Sequence, residues 1–350
     1  MLLGLRSRIS SISRIHSAPF VYFLLSYYSI IQVPLQPVFL VEICYILWYN
    51  TTMIRKQPKE NSMELIKSVD SFLESPPTIR APRHRKGFYP SAASCIIRDS
   101  SGEEELVGKC IRANYWACRS VKPTNPMNAR GFRITSVGKM MEEWEVSRYK
   151  EMGIWRGNNV KFLDTDYNIS GEVDAFVWDE MLKDIIGVEI KTGYGYQFEK
   201  EVIGRPGRKG HPKLDHLLQV MLYMNYFKDI PMFKLVYFSR GNAARIEFNI
   251  TLDKSNGQVL VDGKKTVSGL TVPGILHRFD TLDKCLEDST LPRRDYQLQY
   301  TDETIQLMYD ANKLNKTQKA AFEKSQKITM GDWRCGYCDY KDYCWKENAE

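Results

Sequence analysis

Residues 187–193 read GVEIKTG, and Glu189 and Lys191 interrupt a run, DIIGVEIK, otherwise suited to a buried β-strand. Side chains alternate along a strand, so these two residues point to the same face. Upstream, GEVDAFV places Asp174 inside another apolar stretch. Two neighbouring strands can bring Asp174 and Glu189 to one ion. Magnesium or manganese takes hard oxygen ligands, and a hydrolytic site must also supply a water nucleophile near a phosphate. There Lys191 can orient or help deprotonate that water, or offset charge in the transition state. The competing account is a partly buried Glu–Lys ion pair at a strand end.

The elements that must position these residues are legible around them. The stretch ITSVGKMMEEWEVSRYKEMGIW predicts a helix with Val137, Met141 and Trp144 as its apolar stripe and Gly138, Glu142 and Glu145 on the next. YNISGEVDAFVWDEMLKDIIGVEIKTG predicts two strands joined at WDEMLKD, an antiparallel hairpin. LDHLLQVMLYMNYF predicts an apolar helix whose exceptions, His216, Gln219, Tyr223 and Tyr226, fall on one side, towards either the site or solvent. FKLVYFSRGNAARIEFNI predicts a second hairpin around Gly241 and Asn242, and more helix follows to about Gln326. Helix, strands, helix, strands is the pattern of a mixed α/β domain.

In that order the motifs resemble the PD-(D/E)XK nuclease superfamily, in the RecB-type branch that includes CRISPR-associated and AddB-like nucleases with an iron–sulfur cluster. GEVDAFV is similar to the family's G-x-x-D strand, VEIKTG to its E-x-K strand, and QVMLY, Gln219 to Tyr223, to its Q-x-x-x-Y helix. The family's preceding helix carries G-x-x-x-H with a metal-binding histidine. Here Gly138 is followed at that spacing by Glu142, still a competent ligand for magnesium, with Glu143 and Glu145 as neighbouring candidates. The resemblance spans roughly Ser91 to Cys344. It implies a restriction-endonuclease-like core, a central mixed β-sheet flanked by helices, and a metal-dependent DNA nuclease, read here as an exonuclease of recombination, repair or phage DNA processing. It implies that Glu142, Asp174, Glu189 and the backbone carbonyl of Ile190 hold Mg2+ or Mn2+, that Lys191 assists the attacking water, and that Gln219 and Tyr223 organise the site.

Among the eight cysteines, three are spaced C335-x2-C338-x5-C344. Three thiolates can hold one metal centre but leave it a ligand short of tetrahedral zinc or a [4Fe–4S] cluster. The resemblance implies [4Fe–4S], with zinc the alternative, and a fourth cysteine from before the catalytic core. Cys110, in GKCIRANYW, resembles the family's C-P-R-x-x-Y element with Ile111 in place of proline, and Arg112 and Tyr115 at the familiar spacing; Cys95, in PSAASCIIRD, is the alternative. Cys44 and Cys285 read as inert.

The chain has 350 residues, 43% of them apolar and 26% charged, with a net charge of +7, an ordinary globular composition leaning towards anionic partners. Residues 1–52 read as an apolar leader: an Arg- and Ser-rich transit peptide, a poor membrane anchor, or sequence ahead of a start at Met53 or Met63, the reading preferred. Residues 53–90 read as a linker or basic arm, and residues 91–350 as the nuclease domain, with its core at about 130–250. Neither early apolar run reaches the roughly 20 residues of a membrane-spanning helix, so no stable membrane partner is expected. The localisation expected is cytoplasmic, or mitochondrial or membrane-associated if the leader is genuine. Arg205, Arg208, Lys209 and Lys213 form a basic loop before the Gln219 helix that can contact DNA phosphates or remain solvated. The partner expected is DNA, with a free end or single-stranded, and a helicase or recombination protein supplying any motor. A non-catalytic cluster-bearing DNA-binding subunit is the alternative, and a zinc-stabilised interaction domain a third.

Overall fold

A computed structural model describes residues 65–75, 87–98, 102–265 and 269–345. The chain parts into two units, Met1–Leu65 and Ile66–Glu350; of the first only Leu65 is described, and the architecture below is that of the second. The expectations for residues 1–52, Cys44 included, lie outside the described residues. The stretch read as linker contains a helix, α1 (Leu65–Leu73).

A two-stranded ribbon, β1 (Ser94–Arg98) with β2 (Glu104–Gly108), leads into helix α2 (Ile111–Cys118). Helix α3 (Ala129–Glu151) starts at Asn128, whose side chain accepts from the Gly131 N–H and satisfies one of the helix's unpaired donors. Then come β3 (Trp155–Asp164), β4 (Ile169–Asp179) and β5 (Asp184–Gly193). Beyond short helical turns at Tyr196–Phe198 and Glu199–Ile203 lies a small hairpin, β6 (Gly204–Arg205) with β7 (Arg208–Lys209). Helix α4 (Leu214–Tyr226) precedes β8 (Phe233–Ser239), β9 (Arg245–Leu252), β10 (Val259–Val261) and β11 (Lys264–Lys265). The chain continues as α5 (Val272–Glu287), α6 (Asp302–Asp310), α7 (Lys316–Glu323), α8 (Trp333–Gly336) and α9 (Lys341–Trp345).

The main sheet has seven strands in the order β11-β10-β9-β8-β5-β4-β3, and β5 and β8 are its parallel pair. The fold is therefore mixed α/β, a mixed sheet flanked by helices. Both predicted hairpins are present, β4 with β5 and β8 with β9. Strand β3 was not foreseen: half of its sequence, WRGNNVKFLD, is polar and only Phe162 is buried, as an edge strand with one partner allows.

Burial on both faces explains the apolar run DIIGVEIK. On one face Phe233, Leu235, Tyr237 and Phe248 pack with Leu217, Leu218 and Met221 of α4 and Ile275 and Leu282 of α5. On the other, Ile186, Val188, Ile190, Val236 and Phe238 meet Val146 of α3, with Met141 and Tyr149 at the margin. Glycine at 187 is required by close approach: a Cβ there would lie 2.2 Å from the Phe233 ring. The stripe predicted for α3 needs correction. Val137 and Trp144 are 43% and 51% exposed, whereas Val146 is buried, because the helix meets the sheet along a line rotated towards Glu142 and Glu145.

Candidate active site

The β5–β8 register pairs Glu189 with Leu235 and Lys191 with Tyr237, so both charged residues sit on the sheet face of the larger core. Glu189 is only 1% exposed, and its Oε1 accepts from Lys191 Nζ. Its Oε2 is buried without a hydrogen-bond donor. Asp174, on β4 beyond the Ala175–Val188 pair, accepts from the Ile190 N–H through Oδ2 at 2.7 Å and lies within hydrogen-bonding reach of the Glu189 carboxyl. Two ionised carboxylates only accept, so this pair closes over a shared proton or a cation.

The electrostatics follow from that crowding. Burial, and then the charge on Glu189, hold the Asp174 carboxyl well above its ordinary value; burial also raises Glu189, against the pull of Lys191. Glu142 is pushed up to about 7 by burial and by Asp174. For Lys191 burial works against the ammonium, but Glu189 and Asp174 outweigh it and its pKa stands raised. The site is thus a crowded set of carboxyls around Lys191, with Lys139 also beside Glu142.

Of the three candidate glutamates on α3, Glu142 is the one beside Asp174 and Lys191. Glu143 is exposed, and Glu145 turns to Arg245 on β9, whose Nη2 donates to its Oε1 at 2.5 Å. Gly138, one turn before Glu142, brings α3 against the end of β5: a Cβ there would stand 3.3 Å from Thr192 Oγ1.

On the polar side of α4, His216, Gln219 and Tyr223 face inward, whereas Tyr226 is exposed. Gln219 Nε2 donates to Tyr223 Oη at 2.6 Å, and Tyr223 Oη donates to the Glu172 carbonyl at 2.9 Å, tying α4 to the strand that carries Asp174. His216 Nδ1 lies 2.9 Å from Tyr237 Oη, which also accepts from the Lys213 N–H. Burial, then Lys191 and Lys213, lower His216 to about 3, so its imidazole is neutral. Sequence reasoning noted His216 as a polar exception but assigned it no role, and it missed Tyr237. The sole trace of Tyr237 is a hydroxyl in an otherwise apolar strand.

Far along the chain, Cys110, Cys335, Cys338 and Cys344 line one cavity with Trp116, Tyr296 and Arg334. Cys110 is the residue before α2, and Thr124 and Asn125 both donate their backbone N–H groups to the Asp339 carbonyl (2.8 and 3.0 Å), closing the two ends of the domain on each other. Burial raises the Cys110 thiol to about 11 and Cys335 to about 12. Cys95 stands apart on β1, its Sγ 3.3 Å from the Gly269 carbonyl. Cys285 packs against the core. Among the described residues, no three His, Cys, Asp or Glu side chains are gathered tightly enough to hold an ion as they stand.

The basic loop comprises the β6–β7 hairpin and the stretch to Lys213, and three of its four cations have protein partners. Arg205 Nη2 lies 3.2 Å from Tyr196 Oη, Lys209 pairs with Asp262 at 2.8 Å, and Lys213 stands over the Phe198 ring; Arg208 is exposed. No helix among the described residues is long and apolar enough to cross a membrane.

No family model matches this chain, and no curated protein matches it. Among solved structures the chain is similar to SSO0001, at 15% identity and a TM-score of 0.38 over 82% of this chain and 98% of that one.

Proposed function

We propose that the protein is a metal-dependent deoxyribonuclease of the RecB-type PD-(D/E)XK class, hydrolysing phosphodiester bonds at the end of β5. The observation that carries this reading is the convergence of Glu142, Asp174, Glu189 and Lys191 from α3, β4 and β5, with a buried Glu189 oxygen that meets no donor. A buried carboxyl oxygen without a donor, crowded by Asp174 and Glu142, supports a cation site here, whereas the equally unpartnered Glu145 Oε2 belongs to a carboxyl paired with Arg245.

Glu142, Asp174, Glu189 and the Ile190 carbonyl would hold Mg2+ or Mn2+, which when bound supplies a Lewis acid for the phosphate and an acidified water. Lys191, held beside Glu189 and Asp174, would orient or help deprotonate the attacking water, or offset negative charge on the phosphoryl oxygens. The Gln219–Tyr223–Glu172 chain holds the Asp174 strand against α4. His216, neutral beneath Lys191, adds no competing charge.

That Cys110 and the C-terminal trio, from opposite ends of the domain, line one cavity supports a four-thiolate centre, which would need the four thiols drawn together around the metal. A centre there would keep thiolates deprotonated that burial otherwise drives towards the thiol. Iron–sulfur rather than zinc rests on the resemblance.

Incubating the purified protein with end-labelled single- and double-stranded DNA tests the reading. Cleavage with magnesium and none in EDTA is expected; equal cleavage in both, or none in either, refutes it.

A further inference from the structure

Between α5 and α6 runs a segment without helix or strand, residues 292–297, whose sequence is PRRDYQ. Two of its side chains, Arg294 and Tyr296, line the cysteine cavity. Its hydrogen bonds go to both ends of the domain.

Towards Cys110, the Asp295 carboxylate accepts from the Ile111 N–H at 2.6 Å. Ile111 opens α2, where helix geometry leaves N–H groups without an acceptor of their own. Arg112 Nε donates to the Pro292 carbonyl at 2.6 Å, and Tyr296 Oη donates to the Gly108 carbonyl at 2.8 Å. Cys110 is thus held through residues before and after it. Towards the C-terminal trio, Arg294 donates to the Cys344 carbonyl through Nη2 at 2.7 Å and Nε at 3.2 Å, and its guanidinium stands 4.5 Å from the Trp345 ring centroid. Gln297 and Asp332 are bonded twice: the Gln297 N–H donates to the Asp332 carboxylate and the Asp332 N–H to the Gln297 carbonyl, each at 2.7 Å. The Asp332 carbonyl in turn accepts from the Cys335 N–H at 3.0 Å. Asp295 does not stand as an unmatched charge beside the thiols, because Arg278 Nη2 donates to it at 2.7 Å.

We propose that residues 292–297 form a strap that holds Cys110 against the C-terminal cysteines before any metal binds, with Arg294 and Asp295 as its positioning residues. The purpose of the strap rests on the four-thiolate reading, but its hold needs no metal. With the chain ends already set, only the thiols remain to be gathered around a metal; without the strap, binding must also order the ends.

Hydrogen exchange of the full-length protein in EDTA, read by mass spectrometry, tests the hold. Arg294→Ala and Asp295→Ala are each expected to speed exchange about tenfold in residues 108–118 and in residues 332–345, while Arg293→Ala, at an exposed neighbour, leaves both within about twofold. Faster exchange confined to the side whose contact was removed, or no change, overturns the strap. Arg294 is exposed, so its variant keeps the test open if Asp295→Ala fails to fold. Titration with Co2+, a probe of thiolate sites, tests the purpose. Binding should weaken about tenfold in Arg294→Ala, with no further loss when that change is added to Cys110→Ser. Additive losses overturn the alignment of Cys110. Exchange coupled across the strap in a wild type that binds Co2+ no better than Cys335→Ser removes the four-thiolate reading alone, and cysteine-dependent Co2+ binding with uncoupled exchange removes the strap alone.

Discussion

Glu189 and Lys191 carry opposite charges on one buried face, yet the ion pair does not exhaust them. Lys191 faces Asp174 and Glu142 as well, and one Glu189 oxygen is left without a donor. That excess of carboxyl over cation is the physical content of the site. Its neutral neighbour gives a prediction at the same scale. The His216 pKa is lowered, so the folded state disfavours the proton; the stability this confers is present above the ordinary value of about 6.5 and is lost as pH falls through it towards about 3. Urea midpoints measured from pH 7 down to pH 4 should therefore fall more steeply for wild type than for His216→Gln, and identical slopes would contradict the burial argument. At this scale the pairing of Asp174 with Glu189 and Lys191 was legible from strand alternation, whereas Glu142 came from the resemblance to a G-x-x-x-H helix, at its spacing after Gly138. Tyr237 and the donor role of Tyr223 towards Glu172 were not, because hydrogen bonds between residues far apart in sequence leave no local periodicity.

Among the elements, α3 shows how an apolar pattern misleads. Val137 and Trp144 satisfy helical spacing, but the helix approaches the sheet through Gly138, Met141, Glu142 and Val146, and a polar site displaces the stripe from the contact line. By contrast α4 is buried along most of its length, with Leu217 and Leu218 fully enclosed. Leu217→Ala is expected to cost about 2–5 kcal/mol in denaturant unfolding, and Val137→Ala less than about 0.5 kcal/mol. Comparable losses would mean that α3 packs as its stripe suggests. The hairpins were readable because their turns sit between apolar runs; β3 was not, since an edge strand in which polar and apolar residues mix without regular alternation carries little signal.

For the whole molecule, the cysteines and the carboxylates make separate claims. If Cys110, Cys335, Cys338 and Cys344 hold one iron–sulfur centre, anaerobically purified protein absorbs near about 400 nm, Cys335→Ser loses that band, and Cys95→Ser keeps it. A colourless, zinc-loaded protein would remove the iron–sulfur assignment while leaving the four-thiolate cavity. The pairing of Cys110 with the C-terminal trio was readable only through a likeness of short motifs; the sequence alone could not say which of two upstream cysteines the fold would bring across. The central claim concerns the carboxylate site, and the rate of cleavage of end-labelled single-stranded DNA in magnesium, wild type against Lys191→Ala, tests it most directly. The account predicts a loss of at least about a hundredfold with folding preserved; equal rates for the two proteins would contradict it.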